Sequence, residues 1–181
     1  MKLFRVRALA PLAAGLVAIA GCSNDPVSAE RADVRLLSDT AYVALVRYGG
    51  TLLELSVSLS RSRVAPGDTV WLEMALRDPA SAPATITTGS SCLFGWEAEN
   101  AAGARPPLDY WGCLTAITNH TFAAGATYRQ RVAFTGQQLN YETGRGVFFT
   151  PLPAGTYRLA AGVSDGMHSR SAWLPVEVVA R

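Results

Sequence analysis

Three groups of side chains in this sequence combine residue types that do chemistry with short spacing. Asp165, His168 and Ser169 are the three types of a nucleophilic triad. A triad, however, draws its members from separate elements around an oxyanion pocket. Here they share a single turn with no nucleophile-elbow pattern beside it, which predicts a surface loop. Glu97 and Glu99 form an i, i+2 carboxylate pair. On a strand such residues share one face about 6–7 Å apart, a separation like that of a glycosidase acid and its partner. Edge and surface strands carry such charges routinely, so solvated surface carboxylates are expected. His120 and His168 lie in polar, turn-rich stretches with no carboxylate or cysteine at ligand spacing, so no metal site is expected. Asn119-His120-Thr121 has the form of a glycosylation acceptor but reads as a polar loop, and Gly144-Arg145-Gly146 is too short to cradle phosphate. No catalytic residue is assigned, and a protein that is not an enzyme is expected.

The charge inventory narrows the partners. Lys2 is the only lysine, and Lys2, Arg5 and Arg7 precede an apolar run that reads as a removable export segment. Taking these three from the 16 basic residues leaves 13 arginines against 14 acidic residues. A near-neutral chain without a basic stripe argues against nucleic acid, whose affinity comes largely from clustered cations. Once that segment is removed, no lysine remains for a Schiff base or a phosphate-loop contact.

The run from Ala8 to Ala20 is 13 residues long. As a helix it reaches about 20 Å against a hydrocarbon core of about 30 Å. Pro11 and Gly15 weaken that helix further. It reads as the h-region of a signal peptide over residues 1–21, not as a membrane span. The string Ile19-Ala20-Gly21-Cys22 resembles the lipobox of bacterial lipoproteins. That resemblance implies a thioether from Cys22 to diacylglycerol, cleavage before Cys22 and acylation of the freed amine. An ordinary signal using Ala18 and Ala20 as its small pair would instead leave Cys22 a free thiol. Several acyl chains, at about 0.8 kcal/mol per buried methylene, hold a protein durably to a bilayer. The covalent lipid is the only non-protein group expected, and the membrane is one partner. Ser23 stands where an Asp is the usual inner-membrane retention signal, so an exported protein held at the outer membrane is favoured. With Cys22 assigned to lipid, Cys92 and Cys113 remain as a pair for an oxidising compartment. Their spacing is not the C-x-x-C of redox or zinc sites.

The elements that must position these groups are strands. Residues 22–39 are polar and read as a lipidated N-terminus and tether, with the folded domain over 40–181. Tyr42, Ala44, Val46 and Tyr48 alternate as in a strand. Leu53, Leu55, Val57 and Leu59 alternate with Glu54, Ser56 and Ser58, the pattern of a half-buried strand. After the turn Ala65-Pro66-Gly67-Asp68, Val70, Leu72, Met74 and Leu76 share one face, with Trp71 and Glu73 on the other. Further strands are expected at Thr85–Thr88, Cys92–Glu97, Leu108–Leu114, Tyr128–Phe134, Gly146–Thr150, Tyr157–Val163 and Ala172–Val179. No stretch keeps a helical period. The expected architecture is an all-β, antiparallel β-sandwich of seven to nine strands, with a small barrel as the rival.

Aromatic residues crowd the proposed disulfide: Phe94, Trp96, Tyr110 and Trp111. Packing against an inter-strand disulfide is the first reading, since sandwich domains use Trp in that way. The alternative is a binding surface of Trp71, Trp96, Tyr110 and Trp111, because Tyr and Trp are enriched at contact centres. Trp71, opposite the apolar face of its strand, is the aromatic most expected to be exposed.

From about Leu52 to Val163 the order of features resembles the BsuPI family of proteinase-inhibitor domains. The marks are the Val70–Leu76 strand, Thr87-Thr88-Gly89 before the strand carrying Phe94 and Trp96, Gly103 in a turn, and Tyr110-Trp111. Ala124-Gly125 opens the next strand, and Leu152-Pro153-Ala154-Gly155-Thr156-Tyr157-Arg158-Leu159 closes the series. Asp78-Pro79 stands where that family usually has an asparagine-rich turn, and the cysteine pair is an addition. The resemblance implies an immunoglobulin-like sandwich and, as one function, proteinase inhibition. The leading expectation is a non-catalytic envelope lipoprotein whose sandwich binds or organises a protein or glycan partner. A hydrolase acting on envelope glycans or peptides is the third reading.

Overall fold

A computed structural model describes residues 31–48, 50–108, 113–163 and 172–180. The described chain is all-β, and none of its residues forms a helix able to cross a membrane. Its thirteen strands are β1 (Arg31–Ser38), β2 (Ala41–Tyr48), β3 (Thr51–Leu59), β4 (Arg63–Val64), β5 (Val70–Arg77), β6 (Ala84–Thr88) and β7 (Phe94–Asn100). They continue with β8 (Thr118–Phe122), β9 (Thr127–Phe134), β10 (Gln137–Glu142), β11 (Gly146–Pro151), β12 (Gly155–Val163) and β13 (Leu174–Val178).

The period-two segments build the core as alternation requires. Leu53, Leu55, Val57 and Leu59 of β3 and Val70, Leu72, Met74 and Leu76 of β5 all point inward and are buried. Burying each such side chain contributes about 1.5–3 kcal/mol. These strands are central in a five-stranded antiparallel sheet of order β1-β2-β3-β5-β9. A second sheet, β4-β13-β12-β7, lies against it, antiparallel except for the short parallel β13–β4 pair. Two contacts tie the layers: the Tyr42 hydroxyl donates to the Ala161 carbonyl at 3.3 Å, and Trp96 meets Phe134 edge-on with ring centroids 6.4 Å apart. The architecture is a β-sandwich with one shared core.

Two ribbons, β6–β8 and β10–β11, raise the strand number above the seven to nine expected. The sequence hides β8 and β10 because Thr-Asn-His-Thr and Gln-Gln-Leu-Asn lack apolar alternation. They form because their polar side chains are satisfied across the ribbon: Thr85 Oγ1 lies 3.1 Å from Thr121 Oγ1, and Thr87 Oγ1 donates to Asn119 Oδ1 at 2.7 Å. Ile86 and Phe122 anchor the first ribbon in the core, and the Tyr48 hydroxyl donates to the Thr87 carbonyl at 2.7 Å. In the segment Leu108–Leu114, Leu108, Cys113 and Leu114 lie outside any strand; residues 109–112 are outside the described set.

Part of the segment expected as a tether is instead a strand. Residues 31–38 form β1, an edge strand paired with β2 through Val34↔Ala44, Arg35↔Val43 and Leu36↔Tyr42. Its apolar Val34, Leu36 and Leu37 stay exposed at the sheet edge. The predicted turn before β5 is present, with Asp68 N donating to the Ala65 carbonyl at 2.9 Å and Gly67 at φ 88°. Gly136, at φ 64° between β9 and β10, also sits where an added Cβ would lie 3.4 Å from Val64 Cγ1.

Candidate functional site

The carboxylate pair is the first site to build. Glu97 and Glu99 point away from the core on β7, opposite to Phe94, Trp96 and Ala98. The expectation of solvated charges is corrected here, because both are buried, at 7% and 6% exposure. The cover is local in origin. Asn100 Oδ1 accepts from Ala102 N at 3.0 Å and Ala104 N at 2.9 Å, and this tight turn folds the chain back over β7. Arg105 is thereby brought to both acids, with Nη1 3.0 Å from Glu97 Oε2 and Nε 3.3 Å from Glu99 Oε2. From the neighbouring strand β12, Arg158 stands opposite Glu99 in register, and its Nε donates to Glu99 Oε1 at 3.2 Å. Arg158 also lies 4.8 Å from the Trp173 ring centroid.

Two guanidinium groups therefore balance two carboxylates. The Arg158 hydrogen bond holds the Glu99 carboxyl below its usual range, against the opposing pull of desolvation, and Arg105 adds to the lowering. A general acid at a glycosidic bond needs the opposite shift. The cluster clamps a turn onto a sheet, and within it Glu99 is shifted away from donating a proton.

His120 lies on β8 with Nε2 3.0 Å from Thr88 Oγ1, and burial lowers its pKa. Among the described residues, no three His, Cys, Asp or Glu side chains converge on a point that could hold a metal ion. Asp165, His168 and Ser169 lie outside the described residues, as do Cys22, Tyr110 and Trp111. Cys92 and Cys113 are bonded, with Cα atoms 5.4 Å apart. Trp96 is buried, because it occupies an inward position of β7, and so packs in the core instead of forming a surface. Trp71 is part-exposed on the outer face of β5, with the Arg131 guanidinium 4.0 Å above its ring.

That outer face holds a shallow trough of about 400 Å³. Its floor consists of small outward side chains on three adjacent strands: Ala41, Ser56, Ser58 and Ala75. Larger residues stand at its sides, Leu37 from β1 and Glu73, Arg129 and Arg131 from β5 and β9. Pairing register lines these residues up across the sheet. One row runs Arg35–Val43–Ser56–Ala75–Arg129, and the next runs Ala41–Ser58–Glu73–Arg131. In the second row Arg131 Nε lies 3.4 Å from Glu73 Oε1, so that cation is compensated. Arg35 and Arg129 are exposed and make no ion pair or hydrogen bond among the described residues. Sequence reasoning found Trp71 here but missed both arginines, since only non-local strand pairing places them in one row.

No protein-family model matches the chain, and no curated protein does. Among solved structures it is similar to a Pseudomonas fluorescens alkylpurine DNA glycosylase bound to DNA, at 15% identity and TM-score 0.42, covering 71% of this chain and 31% of that one. It is also similar to a Listeria innocua beta-glucosidase, at 16% identity and TM-score 0.44, covering 71% of this chain and 16% of that one. The chain thus spans less than a third of the length of these enzymes.

Proposed function

We propose that this chain is an exported lipoprotein, anchored through lipid on Cys22, whose immunoglobulin-like sandwich binds a protein partner through the outer face of its five-stranded sheet. The observation that carries the binding reading is the trough. Outward positions on central strands hold alanine and serine where longer polar side chains would fill the space. The resulting 400 Å³ lies within the usual range of ligand sites, about 300–1,000 Å³. Its walls offer a cation, Arg129, that makes no ion pair among the described residues, together with an apolar side chain, Leu37.

The trough favours a protein over a sugar. A glycan platform presents an open aromatic face, and the Trp71 ring face is already occupied by Arg131. The arginine contacts that occupy both Glu97 and Glu99 argue against the hydrolase reading. The anchor reading rests on the lipobox-like string before Cys22.

The test is site-specific photo-crosslinking in intact cells, with the reactive residue at position 58 in the trough or at position 177 on β13. The expected result is an adduct of defined mass from position 58 only, lost when Ser56→Trp fills the floor. Equal adducts from both positions, or none, would refute the binding reading. Cys22→Ser should release the protein from membrane fractions; unchanged attachment would refute the anchor.

The β10–β11 hairpin favours proteinase inhibition as a second reading, because Tyr141, Val147 and Phe149 stand exposed on one of its faces. Titration of serine proteases with the full-length protein tests it, and no inhibition at micromolar concentration would count against it.

A further inference from the structure

The row Arg35–Val43–Ser56–Ala75–Arg129 crosses all five strands of the sheet and ends in an arginine on each edge. Adjacent strands lie about 4.8 Å apart, so the two terminal Cα atoms are about 19 Å from each other. Between them the outward side chains are valine, serine and alanine. Among the described residues neither terminal guanidinium makes an ion pair or hydrogen bond, whereas Arg63, Arg77, Arg105, Arg131, Arg145 and Arg158 each meet a carboxylate. We infer that this row binds an extended acidic segment of the partner protein, laid across the strands, with one carboxylate meeting Arg35 and another meeting Arg129.

The chemistry and the length agree on such a segment. An extended peptide advances about 3.3 Å per residue, so about six residues cover the row. Side chains six positions apart fall on the same side of an extended chain, so acids at i and i+6 both face the sheet. Guanidinium groups hold carboxylates by paired hydrogen bonds, and small floor residues let a backbone approach closely. Ser58, in the adjoining row, offers a hydroxyl beside that backbone, and the Ser56 hydroxyl, which donates to the Ala75 carbonyl at 3.5 Å, can still accept. Nucleic acid is disfavoured, because two cations about 19 Å apart do not follow a phosphate chain that carries a charge at every nucleotide.

This inference rests on the trough being the binding face, and the experiment separates the two. Full-length protein in detergent micelles is titrated into a fluorescein-labelled peptide with two glutamates six residues apart, joined by serine and alanine. A matched peptide with glutamine at both positions and an oligogalacturonate serve as the other probes. The glutamate peptide should bind, with the glutamine peptide weaker by tenfold or more. Arg35→Ala and Arg129→Ala should each weaken binding about three- to fivefold, as expected for exposed ion pairs, and the double variant by about tenfold or more. Equal binding of the two peptides, no binding, or tighter binding of the oligogalacturonate would each overturn the acidic-peptide assignment.

Cellular crosslinking then tells the two failures apart. If Ser56→Trp abolishes the adduct from position 58 while the double arginine variant leaves it intact, the trough binds a partner of different chemistry and only the present inference falls. If Ser56→Trp leaves the adduct intact, the trough itself is not the binding face and both readings fall.

Discussion

Removing the Cys92–Cys113 bridge should lower the melting temperature by a predictable amount. The bond joins positions separated by 21 residues and encloses the whole of β7, an edge strand whose one partner is β12. On the chain-entropy account, closing a loop of about 21 residues stabilises the fold by about 3 kcal/mol, through restriction of the unfolded chain. The folded state should change little, because other bonds hold the same junction. Ser91 N donates to the Leu114 carbonyl at 2.9 Å, and Leu114 N donates to Ser91 Oγ at 2.8 Å. For a chain of this size each kcal/mol moves the midpoint by about 2–4 °C, so the loss should be about 6–12 °C. Calorimetry of the oxidised protein, the reduced protein and a Cys92→Ala/Cys113→Ala variant measures it, with thiol titration confirming the state of the bond. A drop below about 2 °C with the bond demonstrably absent would refute the reasoning. It would mean that the unfolded chain is already held compact without the bridge.

Two further outcomes depend on pH. Glu99 has a folded-state pKa below the ordinary carboxylate value, chiefly through its hydrogen bond to Arg158. The unfolded chain therefore binds more protons as pH falls, so this stabilisation is complete above about pH 4.5 and is lost as pH drops through the lowered folded value. Urea midpoints between pH 7 and pH 3 should decline less steeply for Glu99→Gln than for the native chain, and parallel curves would contradict the assignment. His120 is also depressed, by burial beside Thr88, so stability should fall as pH drops below about 6.5 toward its folded value. An imidazole NMR titration of His120 should show a midpoint below 6.5, and a midpoint above it would contradict the burial argument.

Part of this fold is legible in the amino-acid sequence. The strands β3 and β5, the turn at Pro66-Gly67 and the pairing of Cys92 with Cys113 follow from local pattern, turn chemistry and cysteine parity. Each is a property of neighbouring residues or of an inventory, and a linear string carries both. The strands β8 and β10 are not legible in it, because Thr118–Phe122 and Gln137–Glu142 are stabilised by cross-strand polar bonds and not by an alternating apolar face.

What tertiary structure alone decided is which distant residues become neighbours. Glu97 and Glu99 read as surface charges until a turn at Asn100 returns Arg105 over them and β12 supplies Arg158. Arg35 and Arg129 are 94 positions apart in the chain and become the two ends of one row only through four successive strand pairings. Alternation states which face a side chain takes, but register states whom it meets. Register is set by the whole sheet at once, since a slip of one residue would turn every core side chain of that strand outward.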